Sequence, residues 1–327
     1  MFLPFVLLLL STGTKPTTTS RLPHLVRLEI STSTTLEVPS FGSFGDAQAD
    51  EDGNLFFHAA TRHYLDSVVL GVYAKKSQPV VFALPDDFAK STAFAAFSVT
   101  RSGKVYIAAE DRELKARPRV FSFDDDGQLS SQTELETPKG VRVKTLSIFD
   151  RSGNMFVAGY YDSSALPAQR GRSYVALVTP SGKVLRELRN GDTIDLKKVG
   201  DIPNESSSYV ADDGNLYLLA GNKIRVLQES GQLLRTLHLS KPSQECFATK
   251  VIVSQGIAAV WLDVNPKEGQ TVQLNFETID VSTGHILSLY YPEDELGNKA
   301  VNFTRQDGFT FLDSDKGRVR LFTAAAH

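Results

Sequence analysis

Cysteine is almost missing from this chain of 327 residues, Cys246 being the only one. A single thiol excludes an intramolecular disulfide and any metal centre built on several thiolates. Cys246 is expected to be a small buried hydrophobic group, since free cysteine is among the most buried side chains. Charge of one sign is missing too: 35 Lys and Arg stand against 38 Asp and Glu, for a net charge of −3. That balance gives no electrostatic reason to expect a nucleic acid or an acidic lipid surface as partner. No apolar run is long enough to span a bilayer, so no membrane span is expected. No stretch holds a 3.6-residue hydrophobic period for more than about two turns, which leaves little room for helices. The HExxH pair, the P-loop, the GxSxG elbow and the EF-hand loop are all absent. His58 and His63 form the one close histidine pair, and their spacing sends the side chains toward opposite faces of a strand. No metal site is therefore expected.

The chain opens on an apolar run, Met1 to Leu10, followed by a Ser/Thr-rich stretch from Ser11 to Ser20. Its length is that of a signal-peptide hydrophobic region. No Lys or Arg precedes it, no Ala-x-Ala site follows it, and no lipobox cysteine accompanies it. Residues 1–20 are read as an export segment and 21–327 as one domain, placing the protein in the periplasm or outside the cell. The competing reading is a hydrophobic tail on a cytosolic protein.

What the sequence does contain is a repeat. A polar residue, a glycine and an alternating apolar and aromatic run recur. The phrase begins as Asp52-Gly53-Asn54-Leu55-Phe56-Phe57 and returns at Gly103, Gly153 and Gly214, with weaker copies at Gly256 and Gly308. Successive copies stand 42 to 61 residues apart. Between them lie second turn signals at Asp126-Gly127, Ser181-Gly182, Ser230-Gly231 and Thr283-Gly284, since glycine supplies the positive φ of tight hairpins. Each period then holds four short antiparallel strands. A β-sandwich would explain the strands but not the constant period. The sequence predicts an all-β six-bladed β-propeller with four-stranded antiparallel blades. The sixth copy stops after a third strand, while His24-Leu-Val-Arg-Leu-Glu-Ile-Ser31 is left unassigned. Setting that segment beside residues 318–323 would complete the last blade and remove an exposed edge.

The phrase Asp213-Gly214-Asn215-Leu216-Tyr217-Leu218, followed by Lys223 to Leu227 and Ser230-Gly231, resembles the NHL-type six-bladed propellers. A fainter copy runs from Asp307-Gly308 to Phe322. Loops between the second and third strands are longer than this family's in blades one to three, and blade five lacks the acidic residue before its glycine. The resemblance implies a binding and scaffold fold with some enzymatic members, so it carries little function by itself.

Propeller ligands are expected at one end of the central channel, among the second-to-third-strand loops and those entering each inner strand. Arg62, His63 and Asp66 form one candidate group, as a carboxylate clamp beside a potential base. Tyr160, Tyr161, Asp162 and Arg170 form another on the longest such loop, because Tyr and Arg anchor recognition surfaces. The run Glu110 to Arg117 reads as a solvated rim. The acidic runs Asp46–Asp52 and Asp124–Asp126 read as turns. Asn204 and Asn302 begin N-glycosylation sequons. The function expected is a monomeric binding or interaction propeller for a protein, peptide or carbohydrate, with no cofactor. The alternative is a metal-dependent hydrolase or lactonase using Ca²⁺, which needs Glu, Asn and Asp from different blades to converge on the axis.

Overall fold

A computed structural model describes residues 24–38, 41–61, 67–76, 78–113, 116–188, 207–239, 246–264, 275–292, 299–304, 308–315 and 318–326. The expected export segment and the Asn204 sequon lie outside them, as does the Cys246 side chain.

After an initial strand, β1 (His24–Glu37), the chain builds one four-stranded unit after another. Blade one comprises β2 (Phe41–Ala49), β3 (Leu55–Thr61), β4 (Ser67–Val72) and β5 (Val80–Ala83), and a single helical turn, α1 (Asp86–Ala89), leads on. Blade two is β6 (Thr92–Val99), β7 (Val105–Asp111), β8 (Arg119–Phe123) and β9 (Leu129–Glu134). Blade three is β10 (Val141–Ile148), β11 (Met155–Tyr161), β12 (Ser173–Val178) and β13 (Val184–Glu187). Blade four is β14 (Ser208–Val210), β15 (Leu216–Ala220), β16 (Lys223–Leu227) and β17 (Leu233–His238). Blade five is β18 (Cys246–Ser254), β19 (Ile257–Val264), β20 (Asn275–Asp280) and β21 (Ile286–Pro292). Blade six takes β22 (Lys299–Thr304), β23 (Gly308–Asp315) and β24 (Arg318–Ala326), with β1 as its fourth strand. The arrangement is the six-bladed propeller that the repeat predicts.

Six apolar clusters hold the ring, each lying between two neighbouring blades. Phe56, Val69 and Phe82 of blade one meet Phe97, Ile107 and Phe121 of blade two. Trp261 and Phe276 of blade five meet Phe309 and Phe311 of blade six, with Trp261 edge-on to both Phe276 and Phe309. Leu312 and Val319 of blade six meet Phe57 and Leu70 of blade one. The period of two in a strand explains this directly. In β11, Met155 and Val157 face blade two while Phe156 and Ala158 face blade four. Middle strands therefore read as nearly continuous apolar runs, whereas the outer strand β9 is almost wholly exposed. A fully buried Phe contributes roughly 2–3 kcal/mol relative to exposure, so each wall is a large term.

The hairpins follow the glycines. All six repeat glycines have positive φ, between 72° at Gly153 and 85° at Gly103. The turns also join blades: the Glu51 amide donates to the Arg101 carbonyl at 2.9 Å, and the Glu136 amide to the Gly182 carbonyl at 2.7 Å.

Closure differs in register from the sequence expectation. Thr32–Glu37, rather than His24–Ser31, runs antiparallel beside Arg318–Thr323. His24–Leu28 instead pairs in parallel with Ser288–Pro292 of blade five. β1 has 14 residues, more than one outer strand needs; at Leu28 it pairs with both Pro292 of blade five and Ala326 of blade six, and an irregularity between Ile30 and Thr32 follows in its pairing with β24. One strand thus covers two outer edges and fuses blades five and six into an eight-stranded sheet.

Removing residues 24–37 is expected to abolish the cooperative thermal transition, because blade six loses its fourth strand and blade five its outer cover. Supplying that segment as a separate peptide is expected to restore it, as read by circular dichroism.

Candidate functional site

The inner strands β2, β6, β10, β14, β18 and β22 surround the axis, and polar side chains tie them together. The Gln48 amide accepts from the Val99 N–H at 2.9 Å and donates to the Phe97 carbonyl at 3.1 Å, joining blades one and two. Ser147 and Ser208 hydroxyls lie 2.7 Å apart across blades three and four. Lys250 of blade five is buried, and its ammonium reaches blade one, 3.3 Å from Asp46 Oδ1 and bonded to the Ala47 carbonyl. Each tie satisfies polar groups that burial would otherwise penalise.

Where the inner strands end in their glycine turns, the axis opens into two adjoining hollows that share Ala49, Arg101 and Tyr209. The larger has a volume of about 290 Å³. Arg101 organises this mouth: its guanidinium stands 3.0 Å from Glu51 Oε2 of blade one. Its backbone N–H donates to both Asp150 oxygens of blade three, at 3.2 and 3.3 Å. Asp50 accepts from the Asn54 amide and side chain, both at 2.8 Å, which closes its own turn. Gly103, at φ 85°, passes so near that an added Cβ would stand 2.9 Å from Asp50 Oδ2. Burial pushes the Asp50 and Asp150 carboxyls above their ordinary range, outweighing the hydrogen bonds they accept. Burial likewise raises the Tyr209 phenol to about 12; Arg101 opposes the rise, and Asp212 and Asp150 add to it. No hydrogen bond reaches the Tyr209 hydroxyl among the described residues. Asp212 is exposed on the rim.

The opposite face carries the loops favoured from sequence. Tyr161 is buried, edge-on to Tyr174 at 5.7 Å between ring centres. Tyr160 is half-buried. Asp162 caps its own loop by accepting from the Ser164 amide and hydroxyl, both at 2.7 Å. Burial pulls the Asp162 carboxyl upward, but the bonds from Ser164 and the charge of Arg142 hold it below its ordinary value. Arg170 Nε donates to the Ala165 carbonyl at 3.1 Å, folding back on the same loop. Arg62, His63 and Asp66 lie outside the described residues.

Glu110 corrects the reading of its run as a solvated rim. It is only 7% exposed and accepts from the Val143 N–H of blade three. Arg142 sits between two carboxylates, 2.8 Å from Glu110 Oε2 and 3.2 Å from Asp162 Oδ2. Burial raises the Glu110 carboxyl, with Arg142 and the Val143 amide opposing. Asp124–Asp126 behaves as a turn, Asp124 accepting from the Asp126 and Gln128 amides at 3.1 and 2.9 Å, whereas Asp46 of the other acidic run lies within β2 and pairs with Lys250 rather than forming a turn. Asn302 lies on an inner strand lining the mouth, not on a projecting loop.

Among the described residues, no three of His, Cys, Asp and Glu stand close enough to hold a metal ion. Calcium needs six to eight oxygens. At the mouth, Arg101 already holds Glu51 and Asp150, so this donor set does not fit it. Sequence reasoning missed the mouth, though a signal was there. Glu51, Arg101 and Asp212 each stand two residues before a repeat glycine, and Asp50 and Asp150 stand three before.

The chain matches no protein-family model and no curated protein. Among solved structures it is similar to a member of the DUF4221 family from Bacteroides vulgatus, at 9% identity and a TM-score of 0.57, over 92% of this chain and 98% of that one. It is also similar to regucalcin, a calcium-binding protein from Agrobacterium tumefaciens, at 14% identity and a TM-score of 0.53, over 93% and 97% of the two chains. A third likeness is to the WD40 domain of Neurospora crassa Pan2, at 10% identity and a TM-score of 0.50, over 92% and 97%. These likenesses show the β-propeller fold.

Glu110→Ala is expected to lower stability by about 1–3 kcal/mol, because it removes an acceptor from the Val143 N–H and a carboxylate from a half-buried guanidinium. Glu110→Gln, whose single carbonyl oxygen can still accept from the Val143 N–H, is expected to lose less. Urea unfolding of the three proteins measures the difference.

Proposed function

We propose that this chain is a monomeric, extracytoplasmic binding propeller of the NHL-like kind, receiving a partner at the mouth formed by its inner glycine turns. One observation carries the reading: that mouth takes a side chain from every blade. Glu51, Arg101, Asp150, Tyr209, Gln255 and Asn302 come from blades one to six in order. A hollow assembled from all blades exists only in the closed ring. Its walls are short hairpin turns, which position groups more firmly than long loops do. The chemistry on offer is recognition: fixed acceptors, one guanidinium, two amides and an aromatic hydroxyl. Apolar Val253 and Phe303 complete the wall. Tyr160 and Arg170 on the opposite face serve as a second contact region. The extracytoplasmic location rests on the apolar run Met1 to Leu10.

A ligand of this mouth raises the melting temperature by mass action. In a thermal-shift screen of peptides and saccharides, a compound that stabilises the protein is expected to lose its effect on Tyr209→Ala. A shift that survives Tyr209→Ala but disappears on Tyr160→Ala would move the site to the loop face. For export, the full chain produced in a secreting host is expected outside the cytoplasm without its first 20 or so residues. Recovery from the cytoplasm with Met1 retained defeats that part of the proposal.

A further inference from the structure

We propose that the outer edge of blade five is a docking strip for an extended segment of a partner protein, held in the free chain by its own residues His24–Leu28 as a displaceable arm. The strip is the edge of β21, on the outer wall of the ring, and is separate from the mouth.

The first argument is that the arm is surplus to closure. β24 finds its partner from Leu28 onward, in nine paired positions that run to Glu37. The arm adds five more pairs, all with β21. The other outer strands, β5, β9, β13 and β17, carry no further strand among the described residues. A blade of this ring is complete at four strands, so a fifth on blade five is not demanded by the architecture. An open edge offers a row of backbone donors and acceptors, the usual basis for adding a strand in trans.

The second argument is that the arm is lightly held. Its ladder is short and parallel, a pairing slightly weaker per residue than the antiparallel one. Among the described side chains of the arm, Val26 is half-buried, Arg27 is exposed and only Leu28 is fully buried. Leu28 also pairs with Ala326 of β24. His24–Arg27 can therefore leave while the closing half stays anchored. Segments with few buried contacts are the ones that open without global unfolding.

The third argument is that the strip has room for a longer occupant. His24 lies opposite Ser288, so Leu287 stands just beyond the first pair, and it is 38% exposed. A partner strand in the same register, reaching one residue further back, would lie beside it. At the other end Pro292 has no N–H to donate, which ends the strip. The partner is thus an extended, proline-free segment of about five residues or more, parallel to β21 and apolar at the position of Val26, with backbone bonds supplying most of the affinity.

The test uses the full chain and a fluorescent peptide of the arm sequence, His24–Glu29, as probe. Val26→Pro removes an N–H from the arm and leaves the β24 pairing in place. His24→Cys combined with Ser288→Cys staples the arm to the residue opposite it through a disulfide. The peptide is expected to bind Val26→Pro at least about tenfold more tightly than the wild type, whose tethered arm competes at high effective concentration. Binding is expected to vanish in the oxidised stapled protein and to return on reduction. A peptide with proline at the Val26 position is expected to bind neither protein. Failure of the arm peptide to bind Val26→Pro, with cooperative thermal unfolding intact, overturns the docking strip. Loss of cooperative unfolding in Val26→Pro makes the arm part of ring closure and overturns its displacement. Equal binding to the oxidised and reduced stapled protein puts the peptide elsewhere and also overturns the proposal. None of these outcomes bears on Tyr209-dependent binding at the mouth, so the two readings fail separately.

Discussion

Apolar contact between adjacent blades is the constraint on which the rest of this structure depends. No blade has a core of its own. Phe56 and Phe57 are neighbours in β3, yet one is buried against blade two and the other against blade six. A sheet buried on both faces needs a neighbour on each side, and the requirement ends only when the last blade meets the first. Ring closure is therefore part of the hydrophobic effect in this fold. β1 completes the sheet that presents Leu312 and Val319 to blade one.

That division of labour frees the turns. Stability resides in radial walls of Phe, Val and Leu, so the axial ends can carry polar groups at little cost to the core. The glycine turn sets where those groups point. A hairpin returning at Gly53 or Gly153 leaves the residues two or three positions earlier at the axis. Asp50 illustrates the economy: one carboxylate closes its turn through Asn54 and also lines the mouth. Blade five shows the limit of the device. It places Gln255 rather than an acid before the glycine and holds it at φ 48°, the only described non-glycine residue with positive φ. Side chains rarely occupy that region without cost.

Architecture was legible because the glycine and the period-two runs are local signals, repeated six times. The extent of β1 was not, since Ser31 to Thr35 is polar throughout and shows no inward face; its strand character comes from pairing with Phe322 and Leu321 of a segment almost 300 residues away. The loop from Asp162 to Arg172 was legible as a loop. The burial of Tyr161 was not, because it depends on Tyr174 crossing it edge-on from the next strand. Glu110 looked like one charge in a mixed run, and only the arrival of Arg142 and the Val143 amide from the next blade makes it a buried tie. The mouth was hardest of all. Arg101, Glu51 and Asp150 are about 50 residues apart in sequence, and each looks like an ordinary turn residue alone.

The two ends of the axis thus differ in kind. On the loop face the charges cancel locally: Arg142 lies between Glu110 and Asp162, Asp162 is held below its ordinary range, and Arg170 folds onto its own loop. Groups already satisfied by one another offer little to a third party. On the hairpin face, acids from three blades outnumber the single guanidinium, two of the carboxyls sit above their ordinary range, and the half-buried Tyr209 lines both hollows. Between the two ends the inner strands are tied across the channel, as by Lys250 and Asp46, and the hairpin mouth is where an approaching group meets polar side chains contributed by all six blades.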